Sequence, residues 1–479
     1  MIARLNTALP ALLLAGALVG SGLAGCELAP AYAPPTVATP PAFKEAAGWS
    51  PAQPADDQPR GAWWRLFADA DLDRLEDRVT SGSQDLKAAA ARFQQARALA
   101  RQAQAGLSPT LDTGATTGVH RLSDDVADPL ANRQYQDNLL QLDFNYEVDL
   151  WGRVRDLARA GKDRAQASAA DLASIDLSLH AELAADYFTL RGLDDQQAVL
   201  DQTVQSYAKA LELTQARFKG GYAAEPDVSA AETSLELART QAADLRLDRA
   251  KLEHAIAILV GDAPADFSLP ARPLTAEPPP LAASLPGALL QRRPDIAAAE
   301  RRVAAANAEI GVARAAYYPD FSLSGILGTE ATSAGRLFTA PATTWAAGPV
   351  AALNLFDGGR RRAQTAQARA AFDEAAAAYR QTVLTAYGEV EDNLVALTQL
   401  ANESRTQAAA VAAAVRATSQ AERRYTSGYA AYYDVVTAQN IELSARLQDA
   451  QIRARRMTAG VLLIKALGGG WSPNGAPLG

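Results

Sequence analysis

The chain has 479 residues, and its 46 basic against 54 acidic side chains leave a formal charge of -8, which argues against a nucleic-acid partner. One cysteine, Cys26, excludes an internal disulfide framework and a cysteine-built zinc site. Aromatics make up only 6% and the apolar share rests on Ala and Leu, a composition suited to narrow helix–helix seams rather than a thick core.

At the N-terminus, Arg4 precedes an apolar run from Leu9 to Leu23 that is too short to span a bilayer as a helix. Leu23-Ala24-Gly25-Cys26 resembles a bacterial lipobox, in which cleavage leaves Cys26 acylated on its thiol and its amine. The competing reading is an ordinary cleaved signal peptide with an incidental cysteine. Several acyl chains anchor stably where one does not. Glu27 after the cysteine fits the lipoprotein sorting pattern for the outer membrane. Residues 1–25 are thus expected to be a signal peptide and 26–62 a Pro/Ala-rich tether to outer-membrane lipid.

Trp63 and Trp64 open a predicted short helix to about Val79, and an Ala-rich helix follows from Ser83 to Gly106, stopped by Pro109. A matching segment runs from Pro294 to Ala316 and stops at Pro319. Strands are predicted over about 109–120, 134–150, 319–329 and 344–355. The second alternates most clearly, with Leu140, Leu142, Phe144 and Tyr146 opposite Gln141, Asp143, Asn145, Glu147 and Asp149. Each half of the chain therefore offers a hairpin with one apolar and one polar face.

Residues 153–219 and 360–426 are each 67 long without a proline, which as helices is about 100 Å. Their seams carry Leu172, Ile175, Leu179 and Leu183, answered by Leu245, Leu252 and Leu259 in the returning helix. Both end in the same Gly-centred turn: RFKGGYAAEPDV from Arg217 to Val228 and RYTSGYAAYYDV from Arg424 to Val435, 207 positions apart with seven of twelve positions identical. The chain is a pseudo-duplication. Return helices of about 37 residues and preceding helices of about 23 can stack end to end to flank one long helix. The expected units are a first repeat at 63–263, a Pro-rich linker at 264–286, a second repeat at 287–468 and a tail at 469–479.

Chemistry finds little foothold. His120, His180 and His254 have no ligand spacing, and Ser206-x-x-Lys209 lies alone within a helical run. Asp194-Asp195 reads as ordinary helix-surface charge. No catalysis, metal or cofactor is expected. Four strands cannot close a transmembrane barrel, so copies must pool them; two copies leave about 8 strands filled by their own side chains, and three leave about 12 around a lumen. Asp143, Asn145 and Glu147, with Asp149, would line that lumen and favour cations. A soluble sandwich with one solvated face is the alternative on pattern alone.

RRPDIAAAERRVAAANAEIGVARAAYYPDFSLSG from Arg292 to Gly325, with GPVAALNLFDGGRRRA from Gly348 to Ala363, resembles the outer-membrane factor family, the TolC-like, NodT-type lipoproteins of tripartite efflux pumps. The resemblance covers nearly all of the chain after the tether. It implies a mixed α/β membrane protein: a homotrimer with a 12-stranded barrel above a mostly α-helical coiled-coil tunnel, belted by the termini and the inter-repeat linker. Its partners would be a periplasmic adaptor and an inner-membrane, proton-driven transporter. The paired turns would form the periplasmic tip, with Arg217, Phe218, Gly221, Tyr222, Asp227, Gly428 and Asp434 in turn formation and adaptor docking. Arg424 and Tyr425 match the family's gate pair, and Tyr433 takes the place of a constricting apolar residue. Thr437 stands where the family carries a constricting Asp and Asn440 where it carries an Arg, so a constriction by Tyr425, Tyr429, Tyr432 and Tyr433 replaces the carboxylate ring in this reading. The same tyrosines could instead pack the turn. The alternatives are a type I protein-secretion duct and a lipid-anchored coiled-coil structural or adhesive protein.

Overall fold

The computed structural model describes residues 27–46, 61–123, 125, 134–279 and 292–469. Cys26, most of the first hairpin loop and the C-terminal tail beyond residue 469 lie outside that set. Among the described residues the helices are α1 (Ala70–Gly82), α2 (Gln84–Ala105), α3 (Arg153–Lys219), α4 (Glu225–Val260), α5 (Pro294–Ala315), α6 (Arg360–Thr426) and α7 (Tyr432–Ala466). The strands are β1 (Thr110–Arg121), β2 (Gln134–Glu147), β3 (Asp320–Ala331) and β4 (Thr343–Ala352). No described helix is long and apolar enough to cross a membrane.

The chain divides into two compact units. The first holds residues up to 36, 92–169 and 298–380, and at its centre the strands form one antiparallel meander in the order β1-β2-β3-β4. The register sorts side chains by face, because alternate residues point to opposite sides. Leu142 pairs with Thr113 on one side and Leu327 on the other, and Leu327 pairs with Trp345, so this row lies on the apolar face. Asp143 pairs with Asp112 and with Ile326 on the opposite face.

Two strands are shorter than their alternation predicts. β2 ends at Glu147 rather than residue 150, because the Asp149 carboxylate turns to accept the backbone N–H groups of Val154 (3.2 Å) and Arg155 (2.9 Å) at the start of α3. β4 ends at Ala352 rather than residue 355, because its partner β3 begins only at Asp320, after Pro319, and Ala352 is the residue opposite Asp320.

The second unit holds the remainder, and its main core is built around the middle of α3. Leu179, Leu183, Tyr187, Phe188 and Leu190 of α3 pack with Leu72, Leu75 and Val79 of α1, Ile256 of α4, Met457 and Val461 of α7, and Leu274 of the linker. The expected single helix from Trp63 is interrupted. Trp63–Phe67 form a 3-10 turn, Ala68 takes a left-handed conformation, and Asp69 then caps α1 by accepting from the amides of Asp71 and Leu72.

Asp194 and Asp195 are not surface charges: both are buried. Asp194 accepts from Arg191 (3.0 Å) and Arg249 (2.6 Å) and from the Arg272 amide (3.0 Å), while Asp195 accepts from the Leu274 amide (3.2 Å) and pairs with Arg453 (3.2 Å). The linker at 267–276 lies over this stretch of α3 and takes the pair out of water, and charged partners arrive from α4 and α7.

End-to-end stacking of the shorter helices is present in both repeats. A Cβ at Gly82, the last residue of α1, would collide with the Val260 carbonyl oxygen at the end of α4, and one at Gly261 would collide with the Gly82 oxygen. The equivalent Gly468, after α7, abuts the Arg292 carbonyl in front of α5. Gly261 and Gly468 both have positive φ (83° and 90°), so each junction closes on a residue that needs a left-handed turn and has no room for a side chain.

Candidate functional site: the helical tip and the polar sheet face

Both tip turns are the same helix stop. In the first, Tyr222 N–H donates to Arg217 O (2.8 Å) and Gly221 N–H to Phe218 O (3.0 Å); in the second, Tyr429 N–H donates to Arg424 O (2.8 Å) and Gly428 N–H to Tyr425 O (3.0 Å). These are Schellman motifs with glycine in the left-handed position, at φ of 83° and 81°. In the first turn the Asp227 carboxylate also accepts the Ala224 amide (3.2 Å), fixing the start of α4.

The structure brings the two tips together through Arg217. Its guanidinium lies 4.6 Å from the Tyr425 ring centre and donates to the carbonyls of Tyr425 (3.4 Å) and Thr426 (3.2 Å), covering the exposed end of α6. The predicted tyrosines divide. Tyr432 is buried with Val435 and Ala231, and its ring meets that of Tyr425 at 5.2 Å. These two pack the turn within one chain. Tyr429 and Tyr433 are 79% and 72% exposed and remain free to face a partner or a pore. Phe218 and Tyr222 in the first tip are also exposed, as are Arg424 and Asp434.

Tyr433, Asp434, Thr437, Ala438 and Ile441 line a groove on α7 that is closed on its other side by Ala417 of α6, with a volume near 220 Å³. Thr437 spends its hydroxyl on the Tyr433 carbonyl (2.8 Å). Asn440 has a local explanation: its side-chain oxygen accepts from the hydroxyl of the buried Tyr207 (3.2 Å). No sequence pattern marked that pairing, which joins positions 233 apart.

On the sheet, Asp143 and Asn145 lie on the polar face, and Gln141 donates to both Asp143 oxygens at 3.0 Å. Asp112, absent from the predicted set, sits directly across from Asp143. Like charges in register repel, and only the hairpin register reveals the pair. Glu147 is neutralised by Arg153, whose Nε donates at 2.8 Å, and Asp149 is engaged by Arg155. Asp112 and Asp143 therefore add negative charge to this face, which by the same register also carries Asp137, Asp320 and Glu330.

A four-stranded sheet with one apolar face, in a chain that also has two 67-residue helices ending in duplicated turns, is the make-up of an outer-membrane channel chain. The family model for outer membrane efflux proteins matches residues 76–262 and again 285–469, once per repeat. The outer membrane protein OprJ of Pseudomonas aeruginosa is 32% identical over 475 residues, covering 96% of each chain. The structure of the outer-membrane channel OprN superposes with a TM-score of 0.84 at 30% identity, covering 93% of this chain and all of that one. The CmeC outer membrane channel of Campylobacter jejuni gives 0.86 at 25% identity, covering 94% and 96%. The chain belongs to the outer membrane efflux protein family. It is an outer-membrane efflux duct of a Gram-negative cell, extending into the periplasm.

Proposed function

We propose that three copies form a passive exit duct, anchored through an acylated Cys26 and opened at its tip by a periplasmic adaptor that links it to an inner-membrane transporter. The sheet carries this reading. Its order β1-β2-β3-β4 leaves β1 and β4 as unpaired edges, and hydrocarbon tolerates no open edge. Three copies supply twelve strands, enough to leave a lumen. Asp112 and Asp143 would give that lumen a negative wall. At the tip, Tyr433 and Tyr429 form the constriction, while Tyr425 and Tyr432 hold the turn in shape. The tips of both repeats, through Phe218, Tyr222 and Asp434, receive the adaptor.

Cross-linking of intact cells followed by outer-membrane fractionation tests this. A membrane-embedded trimer that also captures a periplasmic protein is expected. A monomer released by alkaline washing would sink the duct assembly and leave a peripheral coiled coil.

A further inference from the structure

The repeat supplies an internal control for one pair of arginines. α3 and α6 begin at positions 207 apart, so Arg153 corresponds to Arg360 and Arg155 to Arg362. In the first copy both are neutralised from the end of the preceding strand, Arg153 by Glu147 and Arg155 by Asp149. In the second copy the places of Glu147 and Asp149 are taken by Asn354 and Phe356. The arginines are retained and their carboxylates are gone. Both Arg360 and Arg362 are exposed, and among the described residues neither side chain has an ion-pair partner, whereas Arg361 between them is held by Asp357 (2.7 Å). The positive end of the helix dipole disfavours cations in the first turn of α6, so nothing within the helix accounts for them.

The segment in front of them is apolar and uncovered. Leu355 and Phe356 are 85% and 89% exposed in the single chain and lie just past the end of β4, after Leu353 and Asn354. At the matching ends of β2 and β3, Trp151 stacks on Tyr318 at 4.7 Å, and the Trp151 indole donates to the Pro319 carbonyl (2.8 Å). An aromatic pair with one polar tip at the end of a membrane strand marks the bilayer boundary.

We propose that the loop from Leu353 into Arg362 is a membrane-interface element: Leu355 and Phe356 enter the periplasm-facing leaflet, and Arg360 and Arg362 bind phospholipid phosphates there. The inference rests on the chain's place in the outer membrane and is independent of the tip. Guanidinium matches phosphate in a two-pronged geometry, and the adjoining apolar side chains bring it to headgroup depth. The first copy ties its arginines to its own strand, so each chain would present one lipid-binding corner.

Native mass spectrometry of the detergent-released assembly with added phosphatidylglycerol tests the proposal. Arg360→Gln with Arg362→Gln is expected to weaken retention about 5-fold per arginine and about 25-fold together. Arg153→Gln with Arg155→Gln, which removes arginines already paired, leaves lipid retention unchanged. Equal retention by the Arg360/Arg362 variant overturns the proposal. So does unchanged lipid retention with loss of the assembled oligomer, which assigns the arginines to a neighbouring copy. As a second readout, Phe356→Trp in nanodiscs containing brominated lipid should be quenched beyond the six native tryptophans; an increment that is not quenched removes the apolar wedge.

Discussion

At the residue scale, a strongly perturbed group outside the sheet is His180 on α3. It is buried, its Nδ1 lies 2.5 Å from Glu76 of α1, and its ring stacks on Trp64 at 4.5 Å. Asp176, one turn away, faces Nε2 at 3.5 Å. Burial pushes the Glu76 carboxyl up to about 7 against the pull of His180. Burial alone would lower His180, but hydrogen bonds to Asp176 and Glu76, with their charges, hold it up at about 9. Both values lie above those of the free groups, so the folded chain binds more protons than the unfolded one. The His180 contribution is whole below its ordinary value of 6.5 and disappears as the pH rises through about 9. Glu76 acts in the same direction from 4.5 through about 7. The helical melting midpoint should therefore fall between pH 6.5 and 9, and His180→Asn should flatten that slope; an undiminished slope in the variant refutes the assignment.

The tip tyrosines yield a paired test at the same scale. Tyr432→Ala removes a buried ring and should cost about 3 kcal/mol locally, seen as faster amide exchange across both tip turns. Tyr433→Ala removes an exposed ring and should leave exchange unchanged while raising the closed-state leak in planar bilayers. Equal leak in the Tyr433 variant and the wild type would remove Tyr433 from the constriction and leave Tyr429 as its remaining exposed ring.

At the scale of elements, the duplicated glycines do two different jobs. Gly221 and Gly428 sit in open space, so Ala at either meets only the left-handed backbone and should cost about 1 kcal/mol. Gly261 has the same φ but also lies against the Gly82 backbone, so Gly261→Ala must push the α1–α2 junction away from α4. Thermal unfolding should rank Gly261→Ala as clearly more damaging than Gly221→Ala; equal losses would mean the junction yields freely. What the sequence makes legible follows the same division. Proline spacing, the two 67-residue runs and the repeated turn depend on local chemistry and located the helices, while alternation located the sheet. The ends of β2 and β4 did not follow, because alternation continues past the point where Asp149 becomes a cap and where β3 has no residue left to pair. Asp194 and Asp195 read as surface charge because their cover is the linker, about 80 residues downstream. Tyr432 and Tyr433 are neighbours of identical type, and only the packing of α7 on α4 decides which one is buried.

At the scale of the whole molecule, the single chain leaves its sheet incomplete. Within the chain, Leu142 and Leu327 are register partners on adjacent strands, a separation within disulfide reach. Leu142→Cys with Leu327→Cys should therefore cross-link inside one chain and leave its mobility as a monomer on denaturing gels. Thr113 on β1 and Ala347 on β4 share a face but are three strand spacings apart, about 14 Å, too far for an internal bond. Thr113→Cys combined with a cysteine at Trp345, Ala347 or Pro349, alternate positions along β4, can close only between copies. One of the three combinations should give a covalent trimer in oxidised outer membranes, and that combination fixes the register by which neighbouring sheets join. The only natural thiol is Cys26, which acylation would remove from the reaction. If all three combinations stay monomeric, the edges of this sheet are not paired by other copies, and the pooled barrel fails while the fold of each chain stands.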